Sequence, residues 1–270
     1  MTPESPTSAL GRGLAATAAC IVALALSACA TSPTGRNQLI IMPASQMDAM
    51  GVQAFNQIRA EQKVEADPAI NRYVQCIADA ITREVTDYDA EWEVVVFQDE
   101  TPNAFALPGG KMGVHTGMLK VAANQDQLAA VMGHEVGHVL AQHSNERVSQ
   151  QQVANIGLTV AGQAGQLSQA TMTALGIGAQ YGVLLPFSRT QESEADIIGL
   201  DLMSRAGFDP RESVELWRNM ASQGGGKPPE FLSTHPADST RIANLRSKMD
   251  PAMAKYRQAA AQGKKPACKR

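Results

Sequence analysis

His134-Glu135-Val136-Gly137-His138 places two imidazoles four residues apart, with a carboxylate beside the first. Successive helical residues turn by about 100°, so His134 and His138 fall about 40° apart on one face and Glu135 lies one step round. Two neutral imidazoles at that spacing suit Zn²⁺. The neighbouring carboxylate suits a general base acting on water that the metal activates. The chemistry indicated is metal-assisted hydrolysis, with His134 and His138 as ligands and Glu135 as base. A third ligand has to come from elsewhere in the chain.

The elements that must hold these groups can be read around them. Asn124 and Gln127 have the spacing of a capping box, and Leu128, Val131, Met132, Val136 and Val139 give an apolar helix face beside the histidines. This helix is predicted over residues 124–147. His143 falls about 180° from His134 on it, too far round to share a metal, and is assigned a structural role. A second helix is predicted from about Thr190, with Ile197, Leu200, Leu202 and Met203 as its buried stripe and Gly207 just past its end. Glu192 and Asp196 share one face of it, and Glu194 points away. A His–His–Glu set leaves a fourth position open, as catalytic zinc requires, and Glu192 would complete it. Asp196 would hold one zinc histidine by its other ring nitrogen. Spacing alone separates Glu192 from Glu194 only weakly.

Residues 91–97, EWEVVVF, carry the strongest strand signal. A second extended piece, residues 103–107, leads into the turn Pro108-Gly109-Gly110, and residues 111–115 leave it as a third. A small sheet therefore precedes the histidine helix. His115 is a lone histidine on that sheet and is expected to be surface or structural. Helices are predicted from Ser45 and from Asp67-Pro68, and two more over residues 211–220 and 238–249. The fold class expected is α+β, mainly helical. Residues 154–185 are small, apolar and interrupted by Gln and Gly. They read as close-packed or mobile helices beside the site, a lid or plug, with membrane insertion as the alternative.

Composition is that of an ordinary globular chain: 270 residues, 44% hydrophobic, 18% charged, formal net charge −3. No basic run favours nucleic acid as a partner. Arg12 precedes an apolar run, residues 14–28, too short to span a membrane and shaped like a signal-peptide core. It ends in Leu26-Ser27-Ala28-Cys29, which resembles a bacterial lipobox; the competing reading is an ordinary secretory signal cut after Ala28 or Ala30. Acylation of Cys29 would hold the protein at a membrane surface. Ala30 follows where an inner-membrane retention signal has Asp, so the resemblance implies the outer membrane, periplasmic side. The organisation expected is a signal over 1–28, a lipidated tether over 29–44, a catalytic domain over 45–250 and a basic tail over 251–270. In an oxidising compartment Cys76 and Cys268 either pair or stay separate thiols.

His134-Glu135-x-x-His138, followed by Ser188-Arg189-x-x-Glu192-x-x-Ala195-Asp196, resembles the gluzincin family of the HtpX heat-shock peptidases, CAAX prenyl proteases and Oma-type peptidases. The resemblance implies a zincin-like fold, one Zn²⁺ per chain, Glu192 as the third ligand and Asp196 behind it. Residues 103–110, NAFALPGG, are similar to the family's strand and turn before the zinc helix. Asn103, Ala104, Phe105 and Ala106 would there pair with the substrate backbone. Ser233-Thr234-His235-Pro236 and then Arg241 resemble its late element, in which His235 would steady the oxyanion beside the zinc. The multiple membrane spans and helical repeats of some members are missing, which makes the chain similar to the compact LoiP-type lipoproteins. A zinc endopeptidase of the bacterial envelope acting on misfolded proteins is what this implies. A chaperone-like lipoprotein with a structural metal, or a latent protease, are the competing readings.

Overall fold

Apolar side chains recur on the helical period through the middle of the chain, and the helices they define close around the histidine motif. The computed structural model describes residues 29–163, 187–222, 231, 233, 235 and 239–270. Most of residues 154–185 lie outside them, as do residues 1–28. In chain order come β1 (Cys29–Thr31), β2 (Asn37–Leu39), α1 (Ala44–Glu61), α2 (Pro68–Thr82), β3 (Glu93–Phe97), β4 (Ala104–Leu107), β5 (Lys111–His115) and α3 (Met118–Val121). Then follow α4 (Gln125–Leu140), α5 (His143–Gln163), α6 (Arg189–Ala206), α7 (Glu212–Ser222), α8 (Ser239–Ser247) and α9 (Met249–Ala261). The class is α+β, mainly helical, with the small sheet immediately before α4. No helix among the described residues is long and apolar enough to cross a membrane.

The sheet order is β3-β5-β4, with β3 parallel and β4 antiparallel to β5. The turn between β4 and β5 is made by Gly109 and Gly110, both at positive φ (83° and 73°), where a Cβ would be strained. Ala104 and Ala106 turn to the core that α4 shares, whereas Phe105 packs with Phe55 and Phe97 on the other face. One side of β4 has no strand neighbour among the described residues. His115 is buried, not at the surface, between the rings of Phe97 and Phe105.

Helices α4 and α6 pack closely because glycines meet at their crossing. A Cβ on Gly199 would lie 2.6 Å from the His134 backbone nitrogen, and one on Gly137 would lie 2.8 Å from the Ala195 carbonyl oxygen. Any larger residue would force the two helices apart, and with them the groups they carry.

Three expectations need correction. The helix predicted over 124–147 stops at Leu140, because Gln142 takes a left-handed turn (φ 52°) and α5 begins at His143. The segment read as a tether is instead a docked hairpin. β1 and β2 pair antiparallel, the Gln38 amide donates to the Ala141 carbonyl at 2.5 Å, and the Ile41 N–H donates to Ser149 Oγ at 2.9 Å. The basic tail is largely helical. α9 packs on α6, and the last residues return to the body, the Cys268 N–H donating to Gln125 Oε1 at 2.9 Å and Arg270 to the Leu119 carbonyl at 2.7 Å.

Cys76 on α2 and Cys268 are joined by a disulfide across a sequence separation of 192. So long a loop removes much entropy from the unfolded chain, and typical disulfides stabilise by about 2–4 kcal/mol. Cys76→Ser, or reductant on the wild type, is expected to lower the unfolding free energy by that order and the denaturant midpoint with it. An identical midpoint with and without reductant would mean that α9 holds the terminus unaided.

Candidate metal centre

Helix α4 is fixed at its start by Asn124 Oδ1, which accepts the Gln127 N–H at 2.9 Å; the Gln127 side chain reaches back to the N–H of Ala123 at 2.9 Å. Its third and fourth turns carry His134, Glu135 and His138, all buried. Helix α6 is fixed by a capping box between Ser188 and Gln191, which sets Glu192 in its first turn, facing both histidines. Glu192 Oε1 lies 3.4 Å from His138 Nε2, and its Oε2 lies 3.4 Å from His134 Nε2. His235 comes in from the chain after α7. Its Nδ1 sits 3.0 Å from Glu192 Oε1 and 3.2 Å from His134 Nε2, and its Nε2 3.5 Å from Glu135 Oε1. Ligand atoms of His134, His138, Glu192 and His235 all lie within 4.8 Å of one another.

These residues fit a bound zinc ion. Four donors held tetrahedrally at zinc's usual bond lengths stand about 3.3 Å apart. Neighbouring donors here are separated by 3.0 to 3.4 Å. The hydrogen-bond logic agrees. His134 Nδ1 faces the Asp196 carboxylate at 3.0 Å and so keeps its proton, which makes Nε2 the nitrogen that can give its lone pair to a metal. Imidazole lone pairs and a carboxylate facing one another in a buried space form a set that a cation satisfies.

Asp196 therefore stands where the sequence placed it, behind one zinc histidine. Arg241 ties the arrangement together. Its Nε and Nη2 donate to the two Asp196 oxygens at 2.7 and 2.6 Å, and its Nη1 lies 2.7 Å from Glu192 Oε2. The guanidinium stacks 3.7 Å over the Trp217 ring. Phe187 stacks on His138 and Phe231 on His235, with ring centroids 3.8 and 4.5 Å apart. Neither aromatic carried a signal in the sequence, since each comes from a connecting stretch and meets its histidine only in the fold.

Charge is strongly redistributed in the cluster. Burial alone would raise Glu192, but its contacts with His134, His138 and His235 outweigh it and hold the carboxyl ionised. Burial pushes His138 well below its ordinary value, so that its ring is neutral. Burial also pushes His134 down, but Asp196 and Glu192 reverse this and bring it up to about 9. His134 then holds a proton at neutral pH that an incoming metal must displace. Zinc affinity is expected to climb about tenfold per pH unit below about pH 9 and to level off above it. Calorimetric titration in buffers of different ionisation heat would detect the released proton; an affinity that does not change with pH would contradict it.

Glu135 is buried at 3% exposure, and burial raises its pKa. The Ala106 N–H on β4 offsets a part of that rise, and Oε1 faces His235 Nε2 at 3.5 Å. The base candidate thus sits beside the strand expected to bind substrate. Of the other predicted residues, His143 stays outside the donor set, and Glu194 reaches neither Glu192 nor Asp196.

Comparison with known proteins adds the family. The model of Peptidase family M48 matches residues 67–249. The chain is 41% identical over 173 residues to the mitochondrial metalloendopeptidase OMA1 of Schizosaccharomyces pombe, covering 62% of this chain and 49% of that one. It is 38% identical over 170 residues to OMA1 of Arabidopsis thaliana, covering 62% and 34%. It is 29% identical over 212 residues to the beta-barrel assembly-enhancing protease of Yersinia pestis, covering 74% and 43%. The chain thus spans about half or less of the length of these relatives.

Proposed function

The chain belongs to peptidase family M48, and from that premise and its buried centre we propose that it is a zinc-dependent endopeptidase. Zinc would be held by His134, His138 and Glu192, one ion per chain. When bound it supplies Lewis acidity, polarising the scissile carbonyl and making water a better nucleophile at neutral pH. Glu135 accepts the proton of the attacking water and passes it to the leaving amine. The free side of β4, at Asn103, Ala104, Phe105 and Ala106, takes up the substrate as an added strand, which sets an extended peptide alongside Glu135. His235, whose ring spans from Glu192 to Glu135, hydrogen-bonds the carbonyl oxygen as charge gathers on it.

The observation that carries this reading is Glu135. His235 makes a fourth protein donor, and a metal enclosed by four protein donors could be purely structural. A structural site needs no further buried carboxylate beside the donor set, set as Glu135 is 3.5 Å from His235 and one helical step from His134. The test is cleavage of an unfolded protein by the purified chain, with metal analysis in parallel. Cleavage that stops with chelator and returns with one zinc per chain is expected; no cleavage at full zinc occupancy would favour the structural reading.

We further infer a place in the bacterial cell envelope, with Cys29 lipidated, the body on the periplasmic face of the outer membrane, and misfolded envelope proteins as substrates. The support is the Leu26-Ser27-Ala28-Cys29 run and similarity to a protease named for β-barrel assembly. Labelling with a palmitate analogue that survives Cys29→Ser would overturn the anchor.

A further inference from the structure

Glu194 and His143 are both buried and stand outside the donor set, yet they join it to the N-terminal hairpin. His143 Nε2 lies 3.1 Å from Glu194 Oε2. A carboxylate can only accept, so this ring nitrogen carries the proton. In a neutral imidazole the lone pair is then on Nδ1, which lies 2.8 Å from His138 Nδ1. His138 must donate across that contact, and its own lone pair is left on Nε2. That is the atom facing Glu192 and His134. His134 receives the same setting directly from Asp196, whereas His138 receives it through a second histidine.

Glu194 in turn is held from the far end of the chain. Its Oε1 accepts the hydroxyls of Ser32 and Thr34, and its Oε2 lies 2.8 Å from Arg36 Nε. The remaining Arg36 nitrogens form a two-pronged pair with Glu146 at 2.7 Å each. Ser32, Thr34 and Arg36 all lie at the turn between β1 and β2. The left-handed turn at Gln142 is what brings His143 back against His138.

We infer that His143 is a positioning residue of the metal centre, fixing the tautomer and ring angle of His138, and that the N-terminal hairpin holds it there through Arg36 and Glu194. The inference rests on His138 being a zinc ligand. Partners of this kind change metal affinity about 10–100-fold when removed. Coupling of the hairpin to the centre would make zinc retention depend on the segment that follows Cys29.

The test uses the whole chain, with zinc affinity from chelator competition and the visible absorption of the cobalt-substituted protein as readouts. His143→Ala is expected to weaken zinc about 10–100-fold and to alter the cobalt spectrum. His143→Asn should restore most of both, because its side-chain oxygen can accept the His138 Nδ1–H. Arg36→Ala should weaken zinc in the wild-type background and have no further effect beside His143→Ala. His138→Ala serves as the control. If it loses zinc while His143→Ala binds as wild type, the positioning role is wrong. If Arg36→Ala has the same effect in both backgrounds, the hairpin does not act through His143. If His138→Ala itself retains wild-type affinity, the assignment of the metal centre fails with it.

Discussion

Glu135→Gln is expected to lower kcat/KM on an unfolded protein substrate by about 10²–10⁴-fold, the usual contribution of a general base, with zinc content and melting temperature unchanged. The amide keeps the shape of the carboxylate and can still sit beside the Ala106 N–H of β4. What it loses is the capacity to take a proton. Burial raises the Glu135 pKa while His235 and His134 pull it back, a balance that suits a group receiving a proton and returning it near neutral pH. Metal analysis, a thermal melt and a casein assay on the same preparation separate the outcomes. Cleavage at the wild-type rate would remove Glu135 from the chemistry, and loss of zinc would make it a ligand instead.

The parts of this site that were legible in the sequence are those written in short-range spacing. His134 and His138 share a helix face because they are four apart, and Glu192 and Asp196 share another for the same reason. The starts of α2 and α4 are visible because Asp67 and Asn124 cap their own helices. The hairpin was not legible. Its segment is polar and carries Pro33 and Gly35, and what folds it down is the ion pairing of Arg36 with Glu146 and Glu194, 110 and 158 residues away. The break at Gln142 was hidden for a different reason: left-handed turns are usually marked by Gly or Asn, and here the residue is Gln. α9 was obscured because it buries only Ala252 and Ala259. His143 was set aside as a ligand on the geometry of a continuous helix. That conclusion stands although the helix is broken, because the break places it behind His138.

Arg241→Met is expected to destabilise the zinc-free protein by about 3–5 kcal/mol. Arg241 is buried at 2% exposure and faces two carboxylates that are also buried. Methionine roughly matches its apolar length but leaves Asp196 and Glu192 without their shared cation, and removing one partner of a buried charge network costs far more than the network contributes net. His134 can compensate only in part, because a single imidazolium would then face both carboxylates. A metal ion changes this balance, since zinc supplies a positive charge next to Glu192 whether or not the arginine is present. The gap in denaturant midpoint between variant and wild type should therefore be widest in chelator and narrow with excess zinc. Arg241→Lys should fall between, because one ammonium keeps the charge but cannot span the three oxygens that the guanidinium holds. A variant as stable as wild type in chelator would show that the carboxylates find other partners. A gap that zinc leaves unchanged would show that Arg241 supports the helices and not the donor set.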